Sequence, residues 1–177
     1  MPASKRITSR DNSFFKSLRK LAESSRARRE AGQTLLDGPH LLQAFLASGQ
    51  RPLHLLLNDG ALHDAEIGAL RARCADIPCT VLDDALFAQL SDLKTPNGLL
   101  ALIAVSPPST TAADSQWTVL LEDLQDPGNL GSILRSAAAA GCDAAFLSSG
   151  CADAWSPKVL RAGMGGHFCL SIHEHAD

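Results

Sequence analysis

Tyrosine is absent from the 177 residues, and aromatic side chains make up only 5% of them. Six Phe and two Trp leave little for a surface that reads bases by stacking. Trp117 and Trp155 begin or precede regular elements and read as core or staple residues. No run approaches the ~18 apolar residues that suggest a membrane span, so no membrane partner is expected. The N-terminus, "MPASKRITSRDNS", has no apolar core of the kind a secretory signal needs, and the expected compartment is cytoplasmic. The five cysteines, Cys74, Cys79, Cys142, Cys151 and Cys169, are odd in number and scattered. They form neither a disulfide framework nor a CxxC knuckle, and they read as buried, reduced thiols. No metal site is expected from them, or from His173, Glu174 and His175. His167 reads as structural.

Charge is scarce in one sign at one end. Residues 1–29 hold only two acids, Asp11 and Glu23. Against them stand nine bases: Lys5, Arg6, Arg10, Lys16, Arg19, Lys20, Arg26, Arg28 and Arg29. The segment carries +7, and since the whole chain carries −3, the remainder carries −10. A basic end on an acidic body fits an electrostatic footprint for nucleic acid. It equally fits a solvated helix face. Within it, "SFFKSLRKLAES" (13–24) is amphipathic, with Phe14, Phe15, Leu18, Leu21 and Ala22 on one face. Lys16, Arg19 and Lys20 fall on the other.

What is present in quantity is ordinary globular composition, 45% hydrophobic with a mean hydropathy of +0.01. The length suits one large domain or two small ones. Short apolar runs alternate with helical patterns. "TLLD" (34–37) precedes a helix opened by Gly38-Pro39 and closed near Gly49. Strands are expected at 52–58, 79–82 and 99–105, with helices over about 62–75 and over 83–92. The alternation implies an α/β layer structure with much of the sheet parallel. Residues 106–116, "SPPSTTAADSQ", break the pattern and read as a linker between domains at 1–105 and 117–177. The second domain reads β-α-β-α-β: strands at 117–123, 143–149 and 167–172, and helices over 129–140 and from Pro157. A parallel unit of this size leaves sheet surface uncovered.

The turn into the first of those helices, "DPGNLGSILRSA" (126–137), concentrates the chemistry. Asp126-Pro127-Gly128-Asn129 is strong turn material, and Asn129 is a good helix cap. Arg135 lies off the buried stripe of Leu130, Leu134 and Ala137. Helical side chains lean toward the N-terminus, so its guanidinium can return toward the helix mouth. That mouth offers free N–H groups at the carboxyl end of a strand, where anionic ligands of α/β sheets bind. Two readings stand. Asn129 only caps while Arg135 faces water or pairs with Asp126, or the two form a phosphate or ribose site. A dinucleotide or triphosphate site does not fit, because "DPGNLGSI" lacks both the GxGxxG and the Walker A arrangement.

The stretch "LEDLQDPGNLGSILRSAAAAG", with "SPKVLRAGMGGHF" about 20 residues later, resembles motifs 1 and 2 of the SpoU/TrmH RNA 2′-O-ribose methyltransferases of the SPOUT class. Asn129, Gly131, Arg135, Ala137, Gly141, Arg161 and Gly165 stand at motif spacing. "ITSRDNSFFKSLRKLAESSRARREAGQTLLDGPHLLQAF" is similar to that family's substrate-binding domain. The resemblance implies a small N-terminal α/β domain joined to a parallel-sheet domain of the trefoil-knot type. It implies S-adenosylmethionine as methyl donor, rRNA or tRNA as substrate, and a homodimer. By the same resemblance Arg135 is the principal catalytic residue and Asn129 lines its pocket. Arg161 joins the nine basic residues as an RNA contact near the active site. The family's third motif, which forms the knot and supplies most cofactor contacts, is not found up to residue 177. The expectation is therefore a chain whose methyl-donor contacts lie beyond that point. The alternative is a non-catalytic RNA-binding module.

Overall fold

The computed structural model describes residues 5–108, 111 and 114–176. The chain divides into two compact units, Met1–Ala104 and Val105–Asp177. Of the expected linker over 106–116, residues 109, 110, 112 and 113 lie outside the described residues, as do the first four residues of the N-terminal segment.

The first unit is a five-stranded sheet with helices packed on it. Its strands are β1 (Lys5–Ile7), β2 (Gln33–Asp37), β3 (His54–Leu57), β4 (Cys79–Leu82) and β5 (Leu99–Ala104). Its helices are α1 (Ser13–Glu23), α2 (Ser25–Ala31), α3 (Pro39–Ala47), α4 (Ala65–Arg73) and α5 (Asp84–Phe87). The sheet order is β1-β4-β3-β5-β2. The β1–β4 and β3–β4 pairings are parallel, while β5 runs antiparallel to both β2 and β3. The sheet is thus mixed, with two of its four pairings parallel. Both of its faces are covered, which is why its strands read as continuous apolar runs. On one face Phe15, Leu18 and Leu21 of α1 meet Ile7, Leu35, Leu56, Leu82, Leu100 and Leu102. The alternate residues Leu36, Leu55, Leu57, Val81 and Ile103 are buried on the other face. Each such leucine contributes about 1.5–3 kcal/mol by leaving water.

Local capping sets the helix ends. The Asn12 side chain accepts from the N–H groups of Phe14 and Phe15, which fixes the start of α1. Gly32 closes α2 at φ 59°. The helix expected over 62–75 is shorter, because Asp64 caps α4 through Ile67 N and a 3₁₀ turn at Gly60–His63 precedes it. The one expected over 83–92 holds α-form only at Asp84–Phe87.

The second unit is a three-stranded parallel sheet, β6 (Thr118–Leu121), β7 (Ala144–Leu147) and β8 (Ser171–Glu174), in that order. It carries α6 (Pro127–Ala140) and α7 (Pro157–Gly163), which pack on each other. Leu130, Leu134, Ala145, Leu147, Val159 and Ile172 form its core. Across the opposite face run Leu120, Phe146 and His173 in one register row. Leu120 is 76% exposed, and the Phe146 and His173 rings stack at 4.4 Å. Where a strand is expected over 167–172, the chain forms a 3₁₀ turn at Gly166–Phe168, and β8 begins only at Ser171. Trp117 is 56% exposed, which corrects its reading as a core residue. Asp143 accepts from the N–H groups of Gln116 and Trp117, which hold its carboxyl below the usual range.

Candidate RNA-facing site at the mouth of α6

The loop from β6 to α6 is held by the loop that follows β7. Asp123 N–H donates to Ser148 Oγ at 3.0 Å, and Ala152 N–H donates to Leu124 O at 2.9 Å. Cys151 Sγ accepts from Leu124 N at 3.4 Å and donates to Leu121 O at 3.3 Å. Asp123 adopts φ 49°, a left-handed value that Asp tolerates better than most residues. Its Oδ1 sits where a Cβ on Gly150 would lie only 1.8 Å away. Gly150 is therefore required for the two loops to meet.

The cap of α6 is Asp126, whose Oδ1 accepts from Asn129 N at 2.7 Å, with Pro127 in the first turn. This corrects the expectation that Asn129 caps the helix. Asn129 occupies the third helical position, and capping involves its backbone N–H alone. Its side chain is exposed and has no hydrogen-bond partner among the described residues. Arg135 is exposed two turns further on, and no ion pair engages it among the described residues. The pairing with Asp126 that stood as an alternative is not formed. An amide and a guanidinium are thus left open on one helix, about 9 Å apart along its axis.

Close packing fixes this helix against α7. A Cβ on Gly131 would lie 2.5 Å from Val159 O and from Ala162 Cβ, so the helices touch at backbone distance. Arg161 lies half-buried in the last turn of α7, where positive charge is favoured by the helix dipole. Met164 at φ 47° and Gly165 at φ 92° then reverse the chain. His167 is buried, and its ring nitrogen Nε2 lies 2.8 Å from Ala154 O. Since a carbonyl only accepts, Nε2 carries the proton. Burial pushes the imidazole down to about 4, with the Ala154 bond opposing in part.

The nine basic residues of the first unit do not form one open surface. Arg28 is buried, donating to Leu21 O at 2.6 Å and Ala22 O at 3.2 Å. It satisfies carbonyls at the end of α1, which corrects its place among RNA contacts. Arg6 pairs with Asp59, Lys16 with Asp11 at 2.9 Å, Arg19 with Glu23 at 3.4 Å, and Arg26 with Glu30 at 2.7 Å. Lys5, Arg10, Lys20 and Arg29 are exposed and make no ion pair among the described residues. Among the described residues, no group of three or more His, Cys, Asp or Glu is placed to hold a metal. His173 instead contacts Ser171 Oγ at 3.2 Å.

Two families match the chain, each on one unit. The MRM3-like substrate binding domain family matches residues 12–101, and the SpoU rRNA Methylase family matches residues 116–177. Residues 12–101 place the chain in the MRM3-like substrate binding domain family. The chain is 38% identical over 159 residues to rRNA methyltransferase 3, mitochondrial, of Xenopus laevis, covering 86% of this chain and 37% of that protein. It is 32% identical to the Bacillus subtilis 23S rRNA (guanosine(2553)-2′-O)-methyltransferase RlmP, covering 95% of this chain and 64% of that one. An AdoMet-bound rRNA methyltransferase from Sinorhizobium meliloti shares the fold, with a TM-score of 0.77, 24% identity and coverage of 97% of this chain and 64% of that one. The chain thus spans between 37% and 64% of the length of these relatives. The second unit, which the SpoU rRNA Methylase family matches, is α/β with a parallel sheet. The cytoplasmic expectation is corrected here. Relatives at 36–38% identity are mitochondrial while others are bacterial, so a polar N-terminus does not assign a compartment.

Proposed function

We propose that this chain supplies the RNA-recognising and ribose-orienting part of an S-adenosylmethionine-dependent RNA 2′-O-methyltransferase acting on rRNA or tRNA, working as a homodimer. The observation that supports it most is the division of labour at the start of α6. Asp126 takes over the capping, which frees the side chain of Asn129, and Arg135 stands exposed without a counter-charge among the described residues. Family resemblance gives both positions a role at the ribose.

The chemistry follows from the groups. A guanidinium does not release its proton near neutral pH, so Arg135 acts as a donor rather than a base. It binds a phosphate oxygen beside the target nucleotide and fixes the ribose against the helix mouth. It also offsets the negative charge that develops on the 2′ oxygen as that oxygen attacks. Asn129 offers both an amide donor and an acceptor for a hydroxyl. Lys5, Arg10, Lys20 and Arg29 of the first unit bind phosphates of the RNA. The four ion-paired bases can exchange partners, because exposed pairs contribute only about 0–1 kcal/mol.

S-adenosylmethionine supplies the electrophilic methyl group when bound. The loops after β6 and β7 meet through Asp123, Ser148, Gly150 and Cys151. By the resemblance, most contacts to the methyl donor come from the family's third motif, and none is assigned to these loops.

The test is RNA affinity measured by fluorescence anisotropy. Arg135→Ala should weaken binding about tenfold or more, the range of a lost charge-assisted hydrogen bond, with the thermal melt unchanged. Arg135→Lys should recover little, since an ammonium lacks the planar fork. Parent-like binding by Arg135→Ala would sink the assignment.

A further inference from the structure

The position of Arg135 along α6 is set from outside the helix. Gly166 is buried against it. A Cβ at Gly166 would stand 2.9 Å from Arg135 Cα, 3.2 Å from Leu134 O and 3.3 Å from Arg135 N. These are backbone atoms of a helix already locked on α7 through Gly131. They have no flexible end to swing aside, so any side chain at 166 displaces the backbone that carries Arg135. The turn that delivers Gly166 depends on Gly165 at φ 92°, a conformation that disfavours a side chain.

The next residue anchors that turn. His167 is 2% exposed and donates through Nε2 to Ala154 O at 2.8 Å. Ala154 N–H in turn donates to Glu174 Oε1 at 2.9 Å, on β8. The imidazole also lies flush on α7, since a Cβ at Gly163 would fall 2.5 Å from its Cε1 and Nδ1. A continuous line of contact runs from β8 through Ala154 and His167 to Gly166, and ends on the backbone of Arg135.

We infer that residues 165–167 are the positioning element of Arg135, with His167 as the anchor and Gly166 as the stop that sets the height of the guanidinium at the helix mouth. None of the three needs to touch RNA. The inference rests on the reading of Arg135 as an RNA contact, and the experiment separates the two.

The 177-residue chain is titrated into a fluorescein-labelled single-stranded RNA and the dissociation constant read by anisotropy. The proteins are the parent, Arg135→Ala, Gly166→Ala, the Gly166→Ala/Arg135→Ala double variant, His167→Gln and His167→Leu. Gly166→Ala and His167→Leu should each lose about tenfold, close to the loss in Arg135→Ala. The double variant should bind no more weakly than Arg135→Ala alone, because Gly166 acts through that residue. His167→Gln keeps an N–H donor for Ala154 O and should stay within about threefold of the parent. Backbone amide shifts in Gly166→Ala should move at Leu134 and Arg135. Additive losses in the double variant would overturn the inference, as would parent-like affinity in a folded Gly166→Ala. If Gly166→Ala fails to fold, the His167 pair decides: equal losses in Gln and Leu variants would overturn it. Unchanged affinity in Arg135→Ala would instead overturn the functional reading itself.

Discussion

Asn129 and Arg28 show how a single residue changes meaning once its neighbours are fixed. Asn129 has the right chemistry to cap a helix, and so does Asp126 three positions earlier. Local composition does not choose between them. The structure places Asp126 just outside the first turn and Pro127 at its start, so the carboxylate caps and the amide is free. Arg28 sits in a run of bases that reads as a charged surface, yet it folds back onto the carbonyls of Leu21 and Ala22. The break at Ser24 between α1 and α2 is what turns it inward, and nothing in the charge pattern announces that break. His167 is the residue whose behaviour with pH follows most directly. Its ring titrates near 6.5 when unfolded and at about 4 when folded. Between those values the unfolded chain holds more protons, so stability is full above pH 6.5 and falls as pH drops toward 4. The total is about 3 kcal/mol. Urea melts of parent and His167→Gln at pH 7 and pH 4.5 should show the parent losing more of its stability at the lower pH. Equal losses would contradict a buried, neutral imidazole.

Among the elements, those set by local signals were the most legible. The strand at 79–82, the amphipathic α1, the Pro-opened α3 and the Gly-closed end of α6 follow from short-range rules of pattern and capping, whereas the start of α6 lies at Pro127 rather than at the expected 129. Elements that exist through distant pairing were not. β1 has three residues, Lys5–Ile7, two of them charged, and it is a strand only because Thr80, Val81 and Leu82 lie beside it. The antiparallel pairing of β2 with β5 likewise depends on residues far apart in sequence, and alternation of strands and helices suggested the parallel arrangement instead. The expected strand at 167–172 begins late because two glycines and the buried His167 demand a turn first. At this scale the cap of α6 makes its own prediction. Asp126→Ala should cost about 1 kcal/mol in a chemical melt. It should also weaken RNA binding, because Asn129 and Arg135 share that helix. A melt unchanged within error would show that Asp126 does not hold the helix start.

For the whole molecule, the two units divide the work. The first has an exposed cationic set, reduced by self-pairing to Lys5, Arg10, Lys20 and Arg29 as its open members. The second carries the helix mouth. Overall charge has the sign a polyanionic partner needs but overstates the open cationic surface, since ion pairing is a property of the folded surface. Log affinity for RNA should therefore fall with log salt at a slope of a few, about 0.7 per single-strand phosphate contacted. Replacing the four open bases by Gln should flatten that slope. Replacing Arg28 should lower stability rather than change it. A slope unaltered in the fourfold variant would remove the first unit from the interface.

The most direct measurement compares one RNA oligonucleotide with its 2′-deoxy counterpart, each titrated against the parent, Asn129→Ala and Arg135→Ala. If the mouth of α6 holds the ribose, the parent binds the ribose form more tightly. That preference then shrinks toward unity in both variants while binding to the deoxy form changes less. An equal preference in all three proteins would contradict the assignment of the site.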